Sequence, residues 1–159
     1  MPSDVETCES EPPDSTVPDD AADVTIVDRT FAVAHLTPAA HVAVIGHHTL
    51  PFLLALLRCG CSAVRSLRPG APSPDCEHSD LTWIVDANDE SELDDALRAA
   101  RSRAGADGRL VVEAAAYHGR DGLAAIPKHA TAFGFDVVSF DHVARRLVFA
   151  TVPRPSMVA

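Results

Sequence analysis

The sequence predicts an α/β domain with a mostly parallel sheet flanked by helices and closed by a C-terminal antiparallel hairpin. Short apolar runs alternate with helical patterns through most of the chain, which is typical of repeated strand and helix units. The run at 42–45 is apolar on both faces, as in a strand buried centrally in a parallel sheet. The last two apolar runs, at 135–140 and 147–151, are joined by too few residues for a parallel crossover, so they predict an antiparallel hairpin.

The 159 residues suit one domain with an acidic tail. Residues 1–30 hold nine carboxylates and one arginine, so they carry −8 of the chain's net charge of −10. The start of this segment is rich in proline and poor in large apolar residues, so it cannot bury enough surface to offset its ordering entropy. We expect a disordered acidic tail at 1–23, a single domain at 24–153 and a flexible C-terminus at 154–159.

The composition argues against two classes of partner. No stretch reaches the ~18 apolar residues of a membrane span, and the N-terminus lacks the basic and apolar regions of a signal peptide. No basic stripe is present that would neutralise phosphates. We therefore expect a soluble, cytoplasmic protein that binds no membrane and no nucleic acid, with a tail that is either a solvated leader or a contact for a basic protein.

The first third of the domain contains one ambiguous region and one clear unit. Two short apolar runs, at 24–27 and 31–36, are separated by polar residues, so either a hairpin or an irregular leader is expected there. After the strand at 42–45, Pro51 suits the first turn of a helix, with Thr49 as a possible cap. This unit is strand, turn and helix.

Further units follow in the same alternation. Apolar runs at 63–67 and 81–85 predict strands, with a proline-rich loop at 71–80 between them. A helix then begins near Ser91 as cap and is closed by Gly105. Its apolar residues lie on one face at spacings of three and four, and they are Leu93, Ala96, Leu97, Ala100 and Ala104. A strand at 110–113, a helix through 123–133 and the final hairpin complete the chain.

Five segments carry a family resemblance: VAVIG at 42–46, TWIVDA at 82–87, GRLVVE at 108–113, GFDVVSF at 134–140 and RRLVFAT at 145–151. Their order and spacing resemble the class I S-adenosylmethionine-dependent methyltransferases over about residues 40 to 152. In that family they would be the first strand with its glycine turn, the fourth and fifth strands, and the closing hairpin. The resemblance implies a Rossmann-like fold with a cofactor site after the first strand.

The sequence departs from the cofactor site that this resemblance implies. Val44 stands where the family has an acid in its first strand, and His48 and Leu50 stand where it has further glycines. The acid that would hold the ribose hydroxyls falls near Ser66. A carboxylate on a ribose diol contributes roughly 1.5 to 3 kcal/mol, so its loss, with imidazoles crowding the turn, weakens binding by about two orders of magnitude or more. The stretch before residue 81 is also too short for the family's third strand and its helices.

Six residues form the candidate cofactor site at the carboxyl ends of the strands, and they are Gly46, His47, His48, Thr49, Ser66 and Asp86. In the alternative interpretation, the turn is a structural connection and its histidines are exposed or hydrogen-bonded. We expect a degenerate methyltransferase-like domain without a cofactor, acting as a regulatory or scaffold protein through a protein partner or self-association. An active S-adenosylmethionine-dependent methyltransferase with an atypical pocket and a metal or small-ligand sensor are the alternatives, so the sequence leaves enzymatic activity open.

Metal and nucleophile signals are weak. The possible ligands form C-x-C and C-x-H pairs, and they are Cys59, Cys61, Cys76 and His78. Structural zinc sites usually have about two to four residues between paired ligands, so we expect reduced cysteines and no metal. No nucleophile motif is present. Asp86, Asp89 and Glu90 would serve acid/base chemistry, but capping and the helix dipole explain acids at this place as well.

Overall fold

A computed structural model describes residues 20–71 and 77–153, with side chains from Ile26 onward. The helices are α1 (Asp20–Ala34), α2 (Leu50–Arg58), α3 (Glu90–Arg103) and α4 (Ala125–Ala132). The strands are β1 (Val42–Ile45), β2 (Val64–Leu67), β3 (Ser79–Ile84), β4 (Ala104–Glu113), β5 (Phe135–Asp141) and β6 (Arg146–Thr151). Two 3₁₀ turns, Ala114–Ala116 and Gly122–Ala124, lie between β4 and α4.

The six strands form one sheet in the order β2-β1-β3-β4-β6-β5. Strand β1 pairs in parallel with β2 and β3, and β3 pairs in parallel with β4. Strand β6 runs antiparallel to both β4 and β5. This arrangement confirms the predicted fold class. It also leaves β2 at the edge, because no further strand pairs with it within residues 20–71 and 77–153.

The expected hairpin or irregular leader at 24–36 is wrong, because these residues lie in helix α1. Val27, Phe31 and Ala34 are all buried, and their spacings of four and three place them on one face of a helix. The polar residues between the two apolar runs include Asp28 and Arg29, which face solvent. A helix with one buried face therefore explains the pattern that resembled two short strands.

Helices cover both faces of the sheet, as expected for a mostly parallel sheet. On one face, α1 and α2 pack over a core that includes Leu56, Trp83 and Val148. On the other face, α3 and α4 pack over a core that includes Leu97 and Phe149. Every residue of β1 is buried, which confirms the interpretation of its apolar pattern.

Two details of helix α3 differ from prediction. Its N-cap is Asp89, whose carboxylate accepts a hydrogen bond of 2.9 Å from the backbone N–H of Glu92, while Ser91 lies inside the first turn. Gly105 does not close the helix, because β4 begins directly at Ala104. Asp is as good a cap as Ser, so residue type alone did not separate the two positions.

Three segments of the chain, 1–19, 72–76 and 154–159, lie outside the described residues. Most of the predicted tail and all of the predicted flexible C-terminus fall there, and helix α1 begins at Asp20. The boundaries at 23 and 153 therefore stay predictions. None of the helices in the described ranges combines the length and the apolar character that a membrane crossing requires.

Candidate functional site

The six predicted site residues lie together at the carboxyl ends of the parallel strands. Residues 46–49 follow β1, which lies between β2 and β3 in the sheet. Ser66 lies in β2, and Asp86 lies two residues beyond β3. Because neighbouring parallel strands end at the same edge, the fold brings these residues into contact, as the sequence predicts.

The carboxylate of Asp86 is the centre of this cluster. The backbone N–H of His47 donates to both of its oxygens at 2.9 Å, and the backbone N–H of His48 donates to Oδ2 at 2.7 Å. The ring Nδ1 of His48 also lies 3.1 Å from Oδ2. Asp86 is largely buried, whereas the His48 side chain is 88% exposed. The turn after β1 therefore directs its amides at an internal carboxylate instead of an external ligand.

Gly46 is required by the close approach of Asp86. A Cβ atom on residue 46 would overlap Oδ1 of Asp86 and lie 2.7 Å from Cγ2 of Val85. The N–H of Gly46 donates to the carbonyl oxygen of Leu67 at 3.0 Å, which ties the turn to the end of β2. A glycine in this turn is thus explained by packing within the protein, without any ligand.

Thr49 and Ser66 form a second contact across the turn. Their hydroxyl oxygens lie 2.7 Å apart, and Thr49 is buried. Thr49 occupies the N-cap position of α2, as predicted, but its side chain makes no capping hydrogen bond. The hydroxyl is instead engaged with Ser66, the residue at the place of the family's ribose-binding acid.

The residues at this turn do not fit the cofactor that the family resemblance implies. Val44 is fully buried in the core, so no acid is available within β1. Ser66 offers a hydroxyl in place of a carboxylate for a ribose diol. The backbone donors of His47 and His48 are already taken by Asp86. The six residues are assembled, but their role toward a cofactor stays a prediction.

The other carboxylates near this edge have structural partners. Asp89 caps α3, as described above. The side chain of Glu92 accepts hydrogen bonds from the backbone and the side-chain amide of Asn88, at 2.9 and 3.1 Å. These contacts fix the connection from β3 to α3. Capping thus accounts for the positions of Asp89 and Glu92.

A buried charged cluster that the sequence pattern does not predict lies beneath helix α1. Glu113 at the end of β4 forms an ion pair with Arg146 at the start of β6, and both are more than nine-tenths buried. Trp83 Nε1 donates to Glu113 Oε1 at 2.9 Å, and the Arg146 guanidinium lies 5.1 Å from the centre of the Trp83 ring. Burial raises the pKa of the Glu113 carboxyl, against the lowering effects of Arg146 and Trp83. The sequence feature that could have indicated this ion pair is the opposite charge of two residues that face each other at the paired ends of β4 and β6.

The hypothesised metal ligands do not gather within the described residues. Cys59 and Cys61 lie at the end of α2, and His78 lies just before β3, whereas Cys76 is outside the described ranges. No group of three metal-binding side chains forms in residues 20–71 and 77–153. Burial raises the pKa of both the Cys59 and the Cys61 thiols, and nearby Asp28 adds to the effect at Cys59.

Comparisons with known proteins place the fold. No family model matches the sequence, and no curated protein matches it. The sugar N-methyltransferase KedS8 from a Streptoalloteichus species is similar at a TM-score of 0.61 and 12% identity, over 96% of this chain and 98% of that one. The CcbJ methyltransferase from Streptomyces caelestis is similar at 0.58 and 13%, over 86% and 93%.

The fold is shared with a protein of a different activity. The cyclase SpnF is similar at a TM-score of 0.51 and 18% identity, over 76% of this chain and 59% of that one. At such identities a structural likeness establishes the fold and not the reaction. The chain therefore has the class I S-adenosylmethionine-dependent methyltransferase fold.

Proposed function

We propose that this chain is a non-catalytic protein of the methyltransferase fold that acts as a regulatory or scaffold protein through protein contacts. The observation that carries the proposal is the hydrogen bonding of the His47 and His48 backbone to Asp86. A ligand at this turn would have to displace a carboxylate that holds charge-assisted hydrogen bonds, each worth about 1.5 to 3 kcal/mol. Because the cofactor contacts are lost, we assign the function of the domain to its surface, through which it would bind another protein.

Helix α2 presents an apolar face to water, which supports a role in protein contacts. Leu50, Leu54 and Leu57 are 63%, 43% and 54% exposed, and their spacings of four and three place them on one side of the helix. We call these three residues the α2 leucine face. A contiguous apolar patch of this kind on a helix is typical of a docking surface, whereas single exposed leucines need no explanation.

Helix α2, which carries the leucine face, lies against the edge strand of the sheet. Helix α2 packs on β2, and within the described residues β2 pairs only with β1. The other edge of β2 therefore offers backbone donors and acceptors to an added strand. A second copy of the chain satisfies both features at once, because a two-fold contact would pair β2 with β2 and pack α2 against α2. We take a second copy as the occupant of this surface.

Sedimentation velocity over a range of micromolar concentrations tests this assignment. The proposal expects the natural chain to dimerise and Leu54→Glu to remain monomeric, because the substitution places a charge in the middle of the α2 leucine face. Val143→Glu is the matched control, since Val143 is 80% exposed in the turn between β5 and β6. A natural chain that stays monomeric throughout, or a Leu54→Glu variant that still dimerises, contradicts the assignment.

An active methyltransferase with an atypical pocket is the second candidate, and it is favoured by the likeness to KedS8 and CcbJ. In it, Asp86 would release the turn and orient the methyl acceptor. This candidate requires saturable binding of S-adenosylmethionine, which the first proposal does not. The two are therefore separated by a binding measurement, independently of the oligomeric state.

A further inference from the structure

We propose that a cavity at the amino ends of β1, β2 and β3 binds a small anionic ligand through the guanidinium of Arg103. The cavity has a volume of about 360 Å³. Its lining includes His41 before β1, Ser62 before β2 and His78 before β3. Because the strands are parallel, their amino ends all lie on the side of the sheet opposite their carboxyl ends, where the turn at Gly46 lies. The cavity is therefore separate from the candidate cofactor site.

Arg103 is the unusual residue of this cavity. It is the last residue of α3 and is only 4% exposed, yet its Nε has no hydrogen-bond partner in the part of the chain that the structure describes. Nor does any carboxylate of the described residues form an ion pair with its guanidinium. A buried cation without a counter-charge is unfavourable, so the position calls for an anion from outside the chain.

The neighbouring arginines of α3 show that this lack of partners is specific to Arg103. Arg98 forms an ion pair with Asp95 at 2.8 Å, and Arg101 donates to the carbonyl oxygen of Val152 at 3.1 Å. Arg98 thus has a counter-charge and Arg101 has a carbonyl acceptor, whereas Nε of Arg103 has neither among the described residues. A favourable interaction with the helix dipole would explain a solvent-facing arginine in the last turn, but it does not explain one that is buried against a cavity.

The charges of the lining favour an anion with one or two acidic oxygens. Arg65 forms an ion pair with Glu77, so these two side chains neutralise each other. Among the described residues of the lining, the arginine and glutamate side chains then carry one positive charge in excess, on Arg103. A guanidinium binds carboxylate and phosphate through the same two-pronged geometry. Ser79, also mostly buried, and His78 supply further polar groups.

The size and the apolar part of the cavity favour a small molecule over a bare ion. Val42, Ala63 and Val64 contribute apolar lining next to the charged end. A volume of about 360 Å³ is near the lower end of ordinary small-molecule sites. The ligand class is thus a small metabolite with a carboxylate or phosphate group and a short carbon skeleton.

Thermal unfolding in a buffer of matched ionic strength, with sodium acetate or inorganic phosphate replacing sodium chloride, tests the proposal. At about ten times its dissociation constant, a bound anion raises the melting temperature by about 4 °C for a domain of this size. We expect this rise for the natural chain and for the control Arg120→Met, which replaces an exposed arginine beyond the carboxyl end of β4. We expect no rise for Arg103→Met. A larger effect of phosphate than of acetate identifies a phosphorylated ligand, and the reverse identifies a carboxylate.

The same variants give a second, ligand-free result. Without either anion, Arg103→Met is expected to melt at the same or a higher temperature than the natural chain, because it removes a buried cation that has no partner. If Arg103→Met does not fold, Arg103→Lys is the alternative variant. It keeps the positive charge but not the two-pronged geometry of the guanidinium, so it should lose most of the anion-dependent rise in melting temperature. A natural chain that neither anion stabilises, or a rise that persists unchanged in the folded Arg103 variant, overturns the proposal.

Discussion

The side chain of Asp86 fills the space in front of Gly46. A Cβ atom at residue 46 would overlap Oδ1 of Asp86, and it would also lie 2.7 Å from Cγ2 of Val85. The same carboxylate accepts the backbone N–H groups of His47 and His48. The glycine and the aspartate are therefore two halves of one internal contact, which closes the turn that a nucleotide-binding fold would leave open.

Gly46→Ala is predicted to destabilise the domain by about 1 to 3 kcal/mol, because neither Asp86 nor the buried Val85 has room for a methyl group. Urea denaturation measures the loss. Gly105→Ala is the matched control, since the nearest atom to its added Cβ is 4.0 Å away, an ordinary contact. In an Asp86→Ala background, part of the cost of Gly46→Ala should disappear. An equal cost in both backgrounds would contradict the contact between the two residues.

Glu113→Ala is predicted to destabilise the domain by about 3 to 5 kcal/mol, because it leaves the buried guanidinium of Arg146 without its partner. The free energy of unfolding from guanidinium chloride titrations is the measurement. Asp95→Ala, which breaks the exposed pair with Arg98, should cost about 0.5 kcal/mol or less.

Replacing both partners of the buried pair provides a sharper check. Glu113→Leu combined with Arg146→Met is predicted to be far less destabilising than Glu113→Ala alone, because it leaves no buried charge behind. If the double substitution lowers the free energy of unfolding as much as Glu113→Leu and Arg146→Met do in sum, the pair does not act as a unit.

Asp141 is predicted to make stability depend on pH in the acidic range. The N–H of Ala144, and to a lesser extent Arg29, hold the pKa of the Asp141 carboxyl below its ordinary value. The folded state then binds this proton less readily than the unfolded state, whose carboxyl titrates near ~3.9. The stabilisation is fully present above that pH and is lost as the pH falls through the lowered pKa.

The variant Asp141→Asn isolates this contribution. It should be less stable than the natural chain near neutral pH, with the difference shrinking as the pH falls below ~4. Chemical denaturation at a series of pH values measures it. A difference that is constant over this range would show that the carboxylate charge at residue 141 does not stabilise the fold.

The fold was largely predictable because the burial of a strand follows from the local order of apolar and polar residues in the sequence. The apolar run of β1 and the short connection between β5 and β6 each fix one feature of the sheet. Helix α1 was missed because two apolar runs separated by polar residues match both strand and helix spacings. Only the packing of α1 against α2 and the sheet distinguishes the two.

The site was predictable in its membership but not in its bonding. The order of parallel strands places Asp86 beside the turn at Gly46, yet its hydrogen bonds to amides 38 and 39 residues away depend on side-chain and loop geometry. Arg103 was missed for a different reason. It follows Ala96 and Ala100 on the buried face of α3 at spacings of four and three, but an arginine in a last turn is ordinarily explained by the helix dipole.

The central claim is that Asp86 already occupies the amides on which a cofactor would depend. Isothermal titration of the natural chain with S-adenosylmethionine tests it most directly, with an active methyltransferase of the same fold as the positive control. The account predicts no saturable heat of binding up to about 100 μM cofactor, as expected when a micromolar affinity is weakened by about two orders of magnitude or more. A dissociation constant in the micromolar range would contradict it.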